Sequence, residues 1–367
     1  MAIIARNHPS FEASPSKTLN PTTLICSDAE QASKVHSSAP LKDSWQQDLA
    51  QMIRSADELV KYLDLPVSLA KQAAAGEKQF PVRVTRHYAD RIEKGNLRDP
   101  LLQQVLPLDA EGLMTEGYSS DPLAESQFQA TQGILHKYHG RALLVTTGAC
   151  AIHCRYCFRR HFPYQDHRQS LSDWEESLQI ISRDPSISEI ILSGGDPLML
   201  TDSHLGKLLS VVESTPHVRT LRIHTRLPVV LPTRVTEGLL QLLSETPLKT
   251  VIVIHSNHPR EIDPLTGDAL EQLSRHADAL FNQAVLLRGI NDNGNTLAEL
   301  SETLFQHRVL PYYLHLLDKV TGAAHFDTQS HTIDQIMQDL RSRLPGYLVP
   351  RLVQEIPGEK SKSPVWA

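Results

Sequence analysis

Ala142-Leu143-Leu144-Val145-Thr146-Thr147-Gly148-Ala149-Cys150-Ala151-Ile152-His153-Cys154-Arg155-Tyr156-Cys157 begins as a short apolar, β-branched strand and runs on into a loop holding three of the chain's four cysteines. Outward from this stretch, similar short runs recur at 189–192, 220–224, 251–254, 284–287 and 310–316. Segments with helical spacing fill the gaps, at 171–181, 203–213, 235–243, 269–275, 297–306 and 333–344. After the first, longer unit the strands return about every 30 residues, the length of a βα repeat. Six such units predict an α/β fold, a partial (βα)6 TIM-like barrel, over an all-helical or all-β one. Sites in such barrels gather at the carboxyl ends of the strands, which is where the cysteine loop falls.

Upstream the pattern differs. Residues 1–42 are rich in Ser, Thr, Pro and Ala without sustained periodicity and read as a flexible extension. Residues 43–135 read as a helical region, with apolar residues at three and four spacings over 50–60 and a second helical stretch at 84–95. The core barrel is expected over 136–357, and 358–367 forms a closing tail. The composition, 40% hydrophobic and 21% charged, is that of an ordinary globular protein. A net charge of -6 gives no reason to expect nucleic acid or an anionic membrane as partner. No apolar run approaches the roughly 20 residues of a bilayer span. The Ala-Ile-Ile-Ala patch after Met1 is too short for a signal-peptide core, so a cytoplasmic location is expected.

Three cysteines within eight residues, with Cys26 far away, do not make the spread framework of a disulfide-stapled secreted domain. The spacing C-x3-C-x2-C on a strand-end loop suits three thiolates curling around a cuboidal [4Fe–4S] cluster, where four cysteines are usual. One iron then lacks a protein thiolate and stays open to the amino and carboxylate groups of S-adenosylmethionine. A zinc site completed by His153 or His161 competes, although structural zinc sites usually show two separated ligand pairs. Ser193-Gly194-Gly195-Asp196-Pro197 follows the next strand, either as a plain βα turn or as a loop whose glycines let backbone approach a ligand. Arg222, His224 and Arg226 alternate along one strand and share a face, inward or solvated. His255-Ser256-Asn257-His258 carries the same two readings.

The cysteine segment resembles the radical S-adenosylmethionine superfamily. A longer set of motifs resembles the lysine 2,3-aminomutase family, and within it the branch associated with β-lysylation of translation elongation factor P. The set comprises Leu135-His136-Lys137-Tyr138, Cys154-Arg155-Tyr156-Cys157-Phe158-Arg159-Arg160-His161-Phe162-Pro163-Tyr164, Ser193-Gly194-Gly195-Asp196-Pro197-Leu198 and Pro311-Tyr312-Tyr313-Leu314-His315. This resemblance implies that Cys150, Cys154 and Cys157 hold the cluster and that Gly194, Gly195 and Asp196 contact S-adenosylmethionine. It implies pyridoxal 5'-phosphate on Lys362, in the Lys-x-Pro register that Lys360 does not fit, with Lys137 and Arg141 near that cofactor. Arg159 matches the arginine for the substrate carboxylate, and Asp318 and Glu355 match the acids for the ε-ammonium of L-lysine. Two departures stand out: Glu359, Lys360 and Ser361 replace common glycines, and Glu355 stands where the free-lysine enzymes usually carry Asp. The implied activity is 1,2-amino migration from L-α-lysine to (R)-β-lysine. A flavodoxin-type reductant would supply the electron, and a lysyl ligase would pass the product to elongation factor P. The rivals are a radical S-adenosylmethionine enzyme without pyridoxal phosphate and a non-catalytic metal or iron–sulfur module.

Overall fold

The computed structural model describes residues 44–131, 133–163 and 170–366. The extension 1–42 with Cys26, and Tyr164 of the motif set, lie outside the described residues.

Helices α1 (Ser44–Ala50), α2 (Ala56–Tyr62), α3 (Ser68–Gln79), α4 (Arg86–Ala89) and α5 (Pro100–Gln103) precede the sheet. The periodic stretch 50–60 is not one helix. Ile53 leaves it to form an isolated antiparallel bridge with Val84, and Ser55 restarts the chain as an N-cap that accepts from the Glu58 amide at 3.2 Å. The same bridge draws Val84 into extended backbone, so the helix expected over 84–95 shrinks to the four residues of α4, capped by Thr85. A hairpin, β1 (Gln129–Thr131) and β2 (Ile134–Tyr138), then opens the sheet inside the region expected to be helical.

The repeat follows: β3 (Arg141–Thr147), α6 (Leu171–Ile181), β4 (Glu189–Gly194), α7 (Asp202–Glu213), β5 (Thr220–Thr225), the short α8 (Leu227–Val230) and α9 (Glu237–Glu245). It continues through β6 (Lys249–His255), α10 (Pro264–His276), β7 (Ala279–Val285), α11 (Gly294–Gln306), β8 (Leu310–His315) and α12 (Ser330–Arg343). Two further strands, β9 (Arg351–Gln354) and β10 (Ser363–Pro364), have no counterpart in the sequence reading. The ten strands form one sheet in chain order; β3 to β9 are parallel, and β1, β2 and β10 are antiparallel additions at its two edges. This is a partial barrel with seven parallel strands, one more than the periodicity indicated.

Strand β7 lies earlier than the apolar run 284–287. Its residues alternate in burial, and buried Asn282 accepts from the Ser256 amide (2.8 Å) while donating to the Ser256 carbonyl (3.0 Å). A polar side chain used inside the sheet broke the apolar signal. Helices such as α7 bury one stripe, Leu205, Leu208, Leu209 and Val212, against strand residues Leu192, Leu221 and Ile223. Ile53, Leu59 and Tyr88 of the preceding helices join that core. Each fully buried Leu or Ile contributes about 1.5–3 kcal/mol.

Candidate active site

A cavity of about 1100 Å³ occupies the concave side of the sheet. Its wall includes all three clustered cysteines, the Gly194-Gly195 turn, Arg222, His224 and Arg226, and, at the other end, Asp318, Glu355 and Lys362.

Cys150, Cys154 and Cys157 are free thiols on the loop that leaves β3. Burial pushes the Cys157 thiol up to about 12, with the neighbouring Cys154 adding to it. Burial, then Asp196 and the other two cysteines, push Cys150 up as well. The three groups therefore sense one another, and an iron centre would have to expel their protons on binding. Among the described residues, no three of His, Cys, Asp and Glu converge as a single ion requires. His153 and His161, the candidates for a fourth zinc ligand, are turned elsewhere. His153 Nδ1 meets the Pro81 carbonyl at 2.6 Å and its ring stacks on Phe80, while His161 Nε2 meets the Thr321 carbonyl at 3.2 Å.

The glycine turn locks onto this loop. The Gly195 amide donates to the Thr147 carbonyl (2.6 Å) and the Asp196 amide to the Ala149 carbonyl (2.9 Å). A Cβ on Gly195 would overlap the Ala149 carbonyl, and Gly194 sits at φ +121°. The glycines are thus required by the cysteine loop's own backbone, whatever else they touch. Asp196 lines the cavity, but its carboxylate works as a brace. It accepts from the amides of Leu198 (3.0 Å), Arg226 (2.7 Å) and Leu227 (3.1 Å) and from the Thr225 hydroxyl (2.7 Å). Burial pushes it up to about 6 against the pull of these bonds.

Strand β5 aims Arg222 and His224 into the cavity, and Arg226, just past its end, also lines it, which decides the orientation that alternation left open. Arg222 is held by Glu189 of β4 at 2.6 Å. His224 Nε2 is buried with no hydrogen-bond partner. Burial, reinforced by Arg222, Lys362 and Arg159, pushes this imidazole well below its usual range, so it is neutral at pH 7. His255, at the end of β6, is likewise pushed down to about 3 by burial and Arg226.

The far end was opaque to sequence because a hairpin builds it. Strand β10 folds back on β9 with Ser363 opposite Gln354, and one residue further along that ladder Lys362 comes opposite Glu355. Lys362 Nζ donates to Glu355 Oε2 at 2.5 Å, and Lys137 Nζ of β2 donates to Oε1 at 2.6 Å. Burial pushes Glu355 up, but Lys362 and Lys137 outweigh it and hold the carboxyl well below the ordinary range. Lys360 stays exposed on the turn. Asp318, after β8, faces the same space. Arg141 lies over the Tyr138 ring, 5.4 Å from its centroid. Arg159 is buried, with Nε and Nη2 in a two-point grip on Glu125 (2.8 and 2.7 Å) and Nη1 on Ser193 Oγ at 2.9 Å. The sequence reading missed Glu125: a lone acid in a short 3-10 turn carries no motif.

Residues 144–280 match the family model described as the radical SAM superfamily. L-lysine 2,3-aminomutase of Escherichia coli (strain K12) is 46% identical over 329 residues, covering 89% of this chain and 95% of that protein. The chain belongs to the lysine 2,3-aminomutase family. The protein of the same name from Haemophilus influenzae is 47% identical over 322 residues, 88% of this chain and 95% of its own length. That from Clostridium subterminale is 33% identical over 324 residues, 88% of this chain and 78% of its own. As a member of this family, the chain offers donors suited to two cofactors. The cysteine loop carries three free thiols within eight residues. The opposite end has an amine on Lys362 within a space large enough for a ring cofactor, and there the buried His224 Nε2 lacks a partner.

Proposed function

We propose that this chain is an L-lysine 2,3-aminomutase that moves the α-amino group of L-lysine to the β-carbon, giving (R)-β-lysine. One observation carries the reading: a single cavity joins three clustered thiols to a lysine amine that faces two carboxylates. A [4Fe–4S] cluster on Cys150, Cys154 and Cys157 with bound S-adenosylmethionine would supply a carbon-centred radical, and pyridoxal phosphate on Lys362 an electron sink for nitrogen migration.

The chain's own residues do the rest. Arg159, oriented by Glu125 and Ser193, supplies the cation for the lysine carboxylate. Glu355 holds the Lys362 ammonium while that amine is unmodified. With pyridoxal phosphate held on Lys362, Glu355 would keep Lys137 as its partner and offer its other oxygen to the substrate's ε-ammonium. Asp318 is the second acceptor. His224, kept neutral by burial and then by its cationic neighbours, can meet a cofactor polar group without adding charge. Gly194 and Gly195 hold the cysteine loop in register, with Asp196 bracing the end of β5 behind them.

The reading extends to a one-electron protein donor such as flavodoxin, required by the cluster chemistry itself, and to transfer of β-lysine onto elongation factor P by its lysyl ligase, which motif resemblance supports. Three free thiols suit a reducing compartment, the cytoplasm. No described helix is long and apolar enough to cross a membrane. The test is anaerobic reconstitution with iron, sulfide and pyridoxal phosphate. L-lysine, S-adenosylmethionine and dithionite are then added, and α- and β-lysine are separated by chromatography. β-Lysine is expected; absence of both β-lysine and 5′-deoxyadenosine defeats the proposal. Borohydride reduction followed by mass spectrometry should find the pyridoxyl group on Lys362, and its absence there would favour a radical enzyme without that cofactor.

A further inference from the structure

Behind the cysteine loop lies a buried polar knot that the proposed chemistry does not use. Arg226, 6% exposed, donates through Nη1 to Cys154 Sγ at 2.6 Å and to Tyr156 Oη at 2.6 Å. Its Nη2 donates to Glu261 Oε2 (2.9 Å) and Gln104 Oε1 (2.8 Å). Asn257 Nδ2 closes the knot on Tyr156 Oη (2.7 Å) and Gln104 Oε1 (3.1 Å). Glu261, Gln104 and Asn257 are fully buried. The knot therefore joins the cysteine loop to α5 and to the ends of β5 and β6.

Stability is a poor reason for such an arrangement. Desolvating an ion pair costs several kcal/mol per ion, and well-packed apolar residues of similar volume often serve as well or better. What apolar residues cannot supply is a cation against a sulfur. Arg226 sits between Cys154 and Glu261, so the pair is an oriented dipole with its positive end on the thiolate and its negative end behind. In a water-poor interior such fixed charges act with little screening. Hydrogen bonds to the sulfurs and local charge are among the factors that set iron–sulfur potentials.

We propose that Arg226 and Glu261 are positioning residues that set the reduction potential of the cluster through Cys154, Arg226 raising it and Glu261 limiting the rise. The step concerned is the uptake of one electron by the oxidised [4Fe–4S]2+ centre from a low-potential one-electron donor, giving [4Fe–4S]1+. The added negative charge is what Arg226 stabilises. The inference rests on the cluster reading above.

The test is a redox titration of the anaerobically reconstituted enzyme, poised with dithionite and followed by electron paramagnetic resonance, with iron content measured alongside. Arg226→Gln should cut the reduced-to-oxidised ratio at fixed potential at least tenfold, a fall of about 59 mV for one electron. Glu261→Gln should shift the midpoint the opposite way, and Arg226→Lys should fall between Arg226→Gln and the unaltered enzyme. Opposite signs are the signature, because a merely structural knot would move both variants alike. Shifts of one sign, or no shift at unchanged iron content, overturn the inference. If Arg226→Gln fails to retain four irons, Glu261→Gln decides alone: an upward shift supports the inference and any other result overturns it. An unaltered chain that assembles no four-iron centre overturns the function proposed above, and this inference with it.

Discussion

Asp318 gives the cleanest handle on substrate recognition, because its protonation state is set by the cavity. Burial and the neighbouring Glu355, with a smaller push from Glu125, raise its carboxyl to about 7 against the pull of Lys362 and Lys137. An ε-ammonium stabilises only the ionised form, so below that value lysine must expel a proton from Asp318 to bind. Lysine affinity therefore rises with pH through about 7 and levels off above it. For one such proton the linkage gives about a tenfold weaker Kd at about pH 6 than at about pH 8. His224, His255 and His315 also face this space, but burial keeps all three well below the window, so none mimics the effect. The assay is calorimetric titration of L-lysine into enzyme free of pyridoxal phosphate, in which Lys362 keeps its charge, across that range and in two buffers of different ionisation enthalpy. Proton release should appear below about pH 7 and vanish in Asp318→Asn, whose profile should be flat and uniformly weaker. A flat profile for the unaltered chain, or an unchanged slope in Asp318→Asn, refutes the assignment.

Two further outcomes follow from contacts in the same cavity. Gly195→Ala drives a methyl group into the Ala149 carbonyl, so urea unfolding should show a loss of about 1–3 kcal/mol, and reconstituted iron content should fall. Glu355→Ala leaves the Lys137 and Lys362 ammonium groups together without a counter-charge and should cost about 3–5 kcal/mol in urea unfolding near neutral pH. The folded-state value of Glu355 is depressed, so its contribution is complete above the ordinary 4.5 and disappears as pH falls towards the depressed value. The gap between the two proteins should therefore close on acidification.

How much could be read in advance depended on the range of the interactions involved. The βα rhythm was legible because each helix and each buried strand advertises itself within a dozen residues; α6 begins and ends where its periodicity does. Short-range rhythm failed where long-range pairing overrode it, at the Ile53–Val84 bridge that splits one expected helix and shortens another. It failed again at β7, whose buried Asn282 serves a neighbouring loop, and at β10, two residues long and extended only because β9 pairs with it.

The site divides in the same way. Spacing alone could place Cys150, Cys154 and Cys157 on one short strand-end loop, where a single turn of chain brings them near one another. By contrast, 218 residues separate Lys137 from Glu355, and 34 separate Arg159 from Glu125. No local pattern encodes such pairs; they meet because sheet closure and the terminal hairpin bring distant backbone into register. The sequence therefore determined the chemistry the chain can attempt, through residue types at fixed short spacing. Only the tertiary structure decided which charges neutralise one another. That decision made Asp196 a brace, left Asp318 poised near neutrality, and set a buried cation against one sulfur.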